Sequence, residues 1–231
     1  MFTKKDLASE TFSQQQKRTL KILRVLSKSF PKARIALNYK NNIQLLVAVI
    51  LSAQCTDKKV NEITEPIFKK YKTAADFAAI PQKKLEKMIH STGFYRAKAK
   101  NILAATKTIR DTFSGSVPKT MREILTLKGV ARKTANVVLG NAYGVVEGIA
   151  VDTHVWRNSR RFGLTNKDDP VRIEEDLMKL LPRKEWFGAT YRIIDHGRAV
   201  CTAKDPRCDM CPIAKLCPSA FQFPRFEKRK K

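Results

Sequence analysis

Apolar residues recur along the chain at helical spacing and break off at glycine or proline. Leu20, Leu23, Leu26 and Phe30 precede Pro31, Leu85, Met88 and Ile89 precede Gly93, and Ile102, Ile109 and Phe113 precede Gly115. Alternation with a period of two is scarce. Asp169-Pro170 reads as an N-cap and first helical residue ahead of Val171, Ile173, Leu177 and Leu180. The pattern predicts an all-α fold. The stretch from Asn42 to Ala53 has no polar face, which predicts a helix enclosed by others. Gly144 and Gly148 bracket a poorly periodic patch, where a junction between domains is expected, and Asp152 then starts a helix that stops at Gly163. No internal repeat is visible, and the basic tail EKRKK reads as a frayed end.

Charge narrows the picture. The 231 residues hold 46 Lys and Arg against 21 Asp and Glu, a formal excess of 46 − 21 = +25. Such a balance disfavours self-association, so a monomer is expected, and it attracts a polyanion, above all nucleic acid. The longest apolar run, Leu45 to Leu51, is far short of the ~20 residues a spanning helix needs, which sets a membrane aside. The N-terminus is polar, with acids at Asp6 and Glu10, and resembles neither a secretory signal nor an Arg-rich transit peptide. A cytoplasmic protein, associated with the nucleoid through DNA, is expected.

Four of the five cysteines lie in one stretch: Cys201, six residues, Cys208, two residues, Cys211, five residues, Cys217. Four thiols this close, with a Cys-x-x-Cys core and bends at Pro206 and Pro212, point to a metal site. Spacing alone leaves tetrahedral zinc and a four-iron cluster open, since both accept four thiolates. Cys55 reads as a small buried apolar side chain. His90, His154 and His196 are too scattered to act together as ligands.

The stretch LTLKGVARKTANVV, from Leu125, reads as a helix ending at Leu127, a turn at Gly129 and a new helix from about Arg132. Unpaired N–H groups at the start of the second helix suit phosphate, and Arg132 and Lys133 add charge there. Each part has a plain reading as well. The turn is common in helical bundles, Lys133 alone is a surface lysine, and Asp152 alone is an ordinary N-cap.

Taken together, LKGVARKTANVV followed by IAVDTHVWR resembles the endonuclease III family of helix-hairpin-helix DNA glycosylases, and the six-two-five cysteine spacing follows in the family's order. The resemblance implies a two-lobed all-α fold. Residues 35–147 would form a six-helix barrel domain ending in the helix-hairpin-helix at about 120–143. Residues 1–34 and 148–231 would form a discontinuous helical domain carrying the cluster loop 201–217. It places the catalytic amine at Lys133 and the catalytic carboxylate at Asp152, facing one another, and the DNA-binding turn at Gly129, Ala131 and Arg132. It also assigns a [4Fe-4S] cluster to Cys201, Cys208, Cys211 and Cys217, with zinc as the alternative, and matches Gln54 and Phe94 to the two segments that enter the duplex.

The chemistry asks for such residues. An amine that displaces a damaged base at C1′ gives a Schiff base, and the iminium acidifies C2′ and permits loss of the 3′-phosphate. A lysine at its free pKa of about 10.4 is inert, so desolvation or nearby cations must activate it. The implied function is a bifunctional glycosylase and AP lyase removing oxidised pyrimidines, acting on double-stranded DNA with damaged bases or abasic sites. Two rivals remain: a non-enzymatic DNA-binding iron–sulfur sensor module, and a monofunctional relative such as the adenine glycosylase. The latter lacks the lysine and usually runs further past the cluster than the 14 residues found here. Basic runs from Arg96 to Arg110, and at Arg157, Arg160 and Arg161, are expected to track phosphates. Lys128 and Ala131 depart from the family's Pro and Gly. If position 131 needed a positive φ, alanine there would cost roughly 1–2 kcal/mol.

Overall fold

The computed structural model describes residues 1–227, so the lysines and arginine of the basic tail, 228–231, lie outside the described residues. Among the described residues the ordered elements are helices and short 3₁₀ turns. In chain order they are α1 Lys4–Ala8, α2 Phe12–Ser29, α3 Asn42–Leu51, α4 Asp57–Lys70, α5 Ala74–Ala78, α6 Gln82–Ile89, α7 Tyr95–Thr112, α8 Met121–Ile124, α9 Arg132–Tyr143, α10 Thr153–Arg161, α11 Pro170–Leu180, α12 Arg183–Ala199 and α13 Pro224–Glu227. Two compact units result, one made of 35–147 and the other of 1–34 with the described residues from 148 onward.

Most helix starts are written into the sequence as caps. The side chains of Thr3, Thr11, Asn41, Thr56, Thr73, Thr120, Asp152 and Asp169 each accept a backbone N–H of the helix that follows. Thr11 and Gln14 close a capping box, and Pro170 takes the first helical position after Asp169. Among the described residues, α6 after Pro81, α7 after Phe94, α9 after Ala131 and α12 after Pro182 start without a side-chain cap.

In the continuous unit, α3 is buried along its whole length from Ile43 to Leu51, as its lack of a polar face predicts, though the helix stops at Leu51 and a turn follows. Full burial of each Leu, Ile or Val there is worth roughly 1.5–3 kcal/mol. Its one buried polar side chain is satisfied: Gln44 donates to Phe68 O at 3.0 Å and accepts from Lys40 N at 2.9 Å. Helices α7 and α9 pack on α3, with Ile102, Ile109, Ala135, Val138 and Leu139 in the shared core.

The discontinuous unit joins the chain's beginning to its second half through α2. The Arg18 guanidinium, 5% exposed, pairs with Glu10 at 2.8 Å and donates to Phe162 O at 2.6 Å and Gly163 O at 3.0 Å, the carbonyls that end α10. Ile22, Leu23 and Leu26 face a core with Val155, Phe162, Ile173, Leu177 and Ile193. Leu20 and Val171 share the helical spacing but stand at its margin and remain exposed. The apolar stripe is narrower than the spacing suggests, because Arg18 and Thr19 occupy part of the inward face of α2.

Candidate active site and cysteine loop

In the continuous unit the hairpin starts from a shorter helix than the sequence suggests. α8 ends at Ile124, and Leu125 to Leu127 continue as overlapping turns, with the Thr126 hydroxyl donating to Glu123 O at 2.6 Å in place of another helical bond. The chain reverses at Gly129, whose φ is +80°. A Cβ there would lie 2.7 Å from Asn101 Cβ, so only glycine fits both the backbone and the approach to α7.

Ala131 is the N-cap of α9, at φ −93° and ψ 171°. That is extended backbone open to any residue, so the conditional strain does not arise and the departure from glycine is benign. Its consequence is different. Alanine offers no oxygen to the first turn, so the N–H groups of Lys133 and Thr134 have no side-chain acceptor and can serve an outside anion. Lys133 is exposed on this turn.

The same unit carries Gln54 and Phe94. Both have left-handed backbones, φ 52° and φ 48°, which side chains seldom adopt, and both are exposed, Phe94 at 66%. Gln54 lies past the end of α3, and Phe94 is outside the core. Of the basic residues between Arg96 and Arg110, Lys100 and Lys107 are exposed, while Lys98 is buried and turned inward, contrary to the expectation of a continuous phosphate face.

In the other unit, Asp152 caps α10. Its Oδ1 accepts from His154 N at 2.9 Å and Val155 N at 2.8 Å, leaving Oδ2 out of the cap. His154 Nδ1 lies 3.2 Å from the Arg157 guanidinium, one turn further along the helix. Arg157 and Arg161 turn to backbone carbonyls of their own unit. Arg157 Nη2 donates to Gly197 O and Cys201 O, each at 3.1 Å. Burial, then the nearby Arg161 charge, lower its pKa from the ordinary value. Arg161 donates to Thr202 O at 2.7 Å and Ala203 O at 2.9 Å, and its guanidinium stacks 4.7 Å above Phe223. Arg160 pairs with Asp168 at 2.7 Å and stacks on Trp156.

These contacts fasten the cysteine loop. Cys201, Cys208, Cys211 and Cys217 line one apolar pocket, together with Phe162, Pro206 and Phe223. Four thiols gathered on one apolar pocket are the donor set that a thiolate-held cluster takes. Burial pushes Cys211 up to about 11 and Cys217 up to about 12, so without a cluster these thiols hold their protons. His196, fully buried, sets Nε2 3.3 Å from Cys211 Sγ, and burial lowers its pKa to about 4, keeping the ring neutral. Sequence reasoning missed the inward roles of His196, Arg157 and Arg161. The four-residue spacing of the two arginines put them on one face of α10, but did not say which way that face turned.

A glycine hairpin into an uncapped, lysine-bearing helix defines the class. Residues 47–183 match the model of the HhH-GPD superfamily base excision DNA repair proteins, and residues 201–217 match the iron–sulfur binding domain of endonuclease III. The chain is 52% identical to endonuclease III of Synechocystis sp. over 206 residues, 89% of this chain and 94% of that one. It is 46% identical to endonuclease III of Bacillus subtilis, over 81% and 86%. A trapped endonuclease III–DNA covalent intermediate superposes with a TM-score of 0.85 at 41% identity, covering 94% of this chain and 99% of that one. A non-covalent endonuclease III–DNA complex gives 0.85 at 42%, covering 93% and 98%.

The chain belongs to the endonuclease III family. It is an all-α DNA glycosylase and AP lyase of base excision repair with an iron–sulfur binding loop, and the sensor, adenine-glycosylase and zinc alternatives are set aside. None of its described helices is long and apolar enough to cross a membrane.

Proposed function

We propose that the chain removes oxidised pyrimidines from duplex DNA and then cuts 3′ to the abasic site, with Lys133 as nucleophile and Asp152 as the paired carboxylate. The observation that carries this reading is the start of α9, where Lys133 stands exposed beside amides that no side chain caps. A strand phosphate on the Gly129–Ala131 turn, with Arg132 beside it, would hold the sugar next to Lys133. Bound DNA would also exclude water from the amine, which the free protein leaves exposed.

Each step balances. Lys133 Nζ, once it has lost a proton, forms a bond to C1′ as the glycosidic bond breaks and the base leaves with the electron pair, taking up a proton. The sugar ring opens to an iminium. Loss of a C2′ proton then breaks the C3′–O bond, the phosphate leaves, and water hydrolyses the imine to return the amine. Asp152, with Oδ2 outside the cap, is suited to accept the proton of the attacking amine and to stabilise positive charge near C1′.

Extruding the target leaves a hole that Gln54 and Phe94 are suited to fill, Gln54 against the orphaned base and Phe94 as a stacking wedge. Cys201, Cys208, Cys211 and Cys217 are the ligands of a [4Fe-4S] cluster, which when bound cross-links the loop at four points. The protein acts as a monomer in the cytoplasm, at the nucleoid, held there by its charge.

The test is a lesion panel. Duplexes carrying thymine glycol, 8-oxoguanine opposite cytosine, and adenine opposite 8-oxoguanine are incubated with the protein without added divalent metal. Cleavage of the thymine glycol strand, leaving a 3′-unsaturated aldehyde, is expected. Selective release of adenine without strand cleavage contradicts the reading.

A further inference from the structure

Lys98 lies in a run of basic residues that reads as a phosphate-tracking face, yet it is 4% exposed. Its ammonium donates at 2.8 Å to Leu51 O and at 2.8 Å to Thr92 O. Leu51 is the last residue of α3, and Thr92 the last of the 3₁₀ turn His90–Thr92 that follows α6. Both carbonyls are therefore helix-end acceptors, and a cation between two such ends meets the negative pole of each.

A leucine would fill this volume without the cost of taking a charge from water. Burial does push the Lys98 ammonium below its ordinary value. What the charge secures is on either side. Gln54 follows Leu51 by three residues and Phe94 follows Thr92 by two, and both adopt left-handed backbones that persist only where the surroundings hold them. Gly93 adds a further positive φ of 69° just before Phe94.

We propose that Lys98 is a positioning residue: one buried ammonium ties the two segments that carry Gln54 and Phe94, so that both enter the duplex in register when a nucleotide is extruded. This rests on the reading of Gln54 and Phe94 given above. A phosphate-binding lysine would set affinity and its salt dependence. A lysine in this place sets extrusion instead.

The test uses the cluster-loaded full chain and its Lys98→Met and Lys98→Arg variants on two substrates. One is a thymine glycol duplex with 2-aminopurine beside the lesion, which must be opened. The other is an abasic site in single-stranded DNA, which needs no opening. Lys98→Met is expected to lose about 10²-fold in single-turnover excision on the duplex, together with the 2-aminopurine signal, while borohydride trapping on the single strand is unchanged. Lys98→Arg, which keeps donors and charge, is expected to recover part of both duplex readouts. Combining Lys98→Met with Phe94→Ala should cost less than the sum of the two single losses, since Lys98 acts in part through the Phe94 segment. Equal losses on the two substrates, additive losses in the double variant, or no loss on the duplex overturn the proposal. Should Lys98→Met not fold, Lys98→Arg decides: its duplex excision must fall between wild type and Phe94→Ala with the single-strand reaction intact, and any other pattern rejects the role. A wild-type protein that fails on both substrates overturns the catalytic reading instead, and is told apart by that.

Discussion

Arg161 Nη1 lies 3.3 Å from Cys201 Sγ, and the same guanidinium holds the carbonyls of Thr202 and Ala203. The backbone carbonyl of Arg161 in turn meets Cys217 Sγ at 3.3 Å. The end of α10, the helix that Asp152 begins, is thus fastened to both ends of the cysteine loop. Arg161→Ala is expected to weaken cluster retention about 10- to 100-fold, the usual cost of losing a group that orients a ligand. Arg160→Ala removes an exposed pair with Asp168 and a stack on Trp156, neither of which touches the cysteine loop, and should cost about 1–2 kcal/mol of stability without loosening the cluster. Iron release to a chelator, followed by visible absorbance, compares the two, and equal rates would contradict the assignment.

Asp152 has separable duties as cap and as carboxylate. Asn is as good a cap as Asp, so Asp152→Asn should melt within a few tenths of a kcal/mol of wild type, whereas Asp152→Ala should lose ~1 kcal/mol. Both should lose activity by about 10²–10⁴-fold, the range of a positioned acid–base group. Thermal melts beside single-turnover excision separate the duties. An Asp152→Asn variant with near-normal excision would reduce Asp152 to a cap.

Ala131 sets stability against binding. Ala131→Asp supplies the missing cap and should stabilise α9 by ~1 kcal/mol. The same carboxylate would take the amides and repel the phosphate that the turn is proposed to bind, so duplex affinity should fall about tenfold or more. A variant that gains stability and keeps its affinity would place the phosphate elsewhere.

Exposed and buried cations should differ in salt dependence. Lys100→Ala, on the exposed face of α7, should reduce the slope of log K against log salt by ~0.9. Arg157→Lys should leave the slope unchanged, because Arg157 is spent on Gly197 O and Cys201 O. Titrations at several salt concentrations read both slopes.

Much of this protein was legible in its sequence, for reasons that differ from residue to residue. Asp152 and Asp169 announce their helices because a capping carboxylate directly precedes each apolar pattern. Gly129 is legible as a turn, and the contact with Asn101 that excludes a larger residue adds a reason only the folded chain supplies. The cysteine loop is legible because ligand spacing is local. Lys98, Arg157 and Arg161 misled, since a basic residue reads as surface and nothing nearby in sequence names the carbonyls it meets. Leu20 and Val171 misled in the opposite sense: helical period gives a face but not its width, which the partner helices fix.

The most direct measurement is borohydride trapping on duplex DNA with an abasic site, followed by peptide mass mapping. The account predicts a covalent adduct at Lys133 that disappears in Lys133→Ala while the variant keeps its cluster colour and binds the duplex. An adduct mapped to another amine, or undiminished trapping in Lys133→Ala, would contradict it.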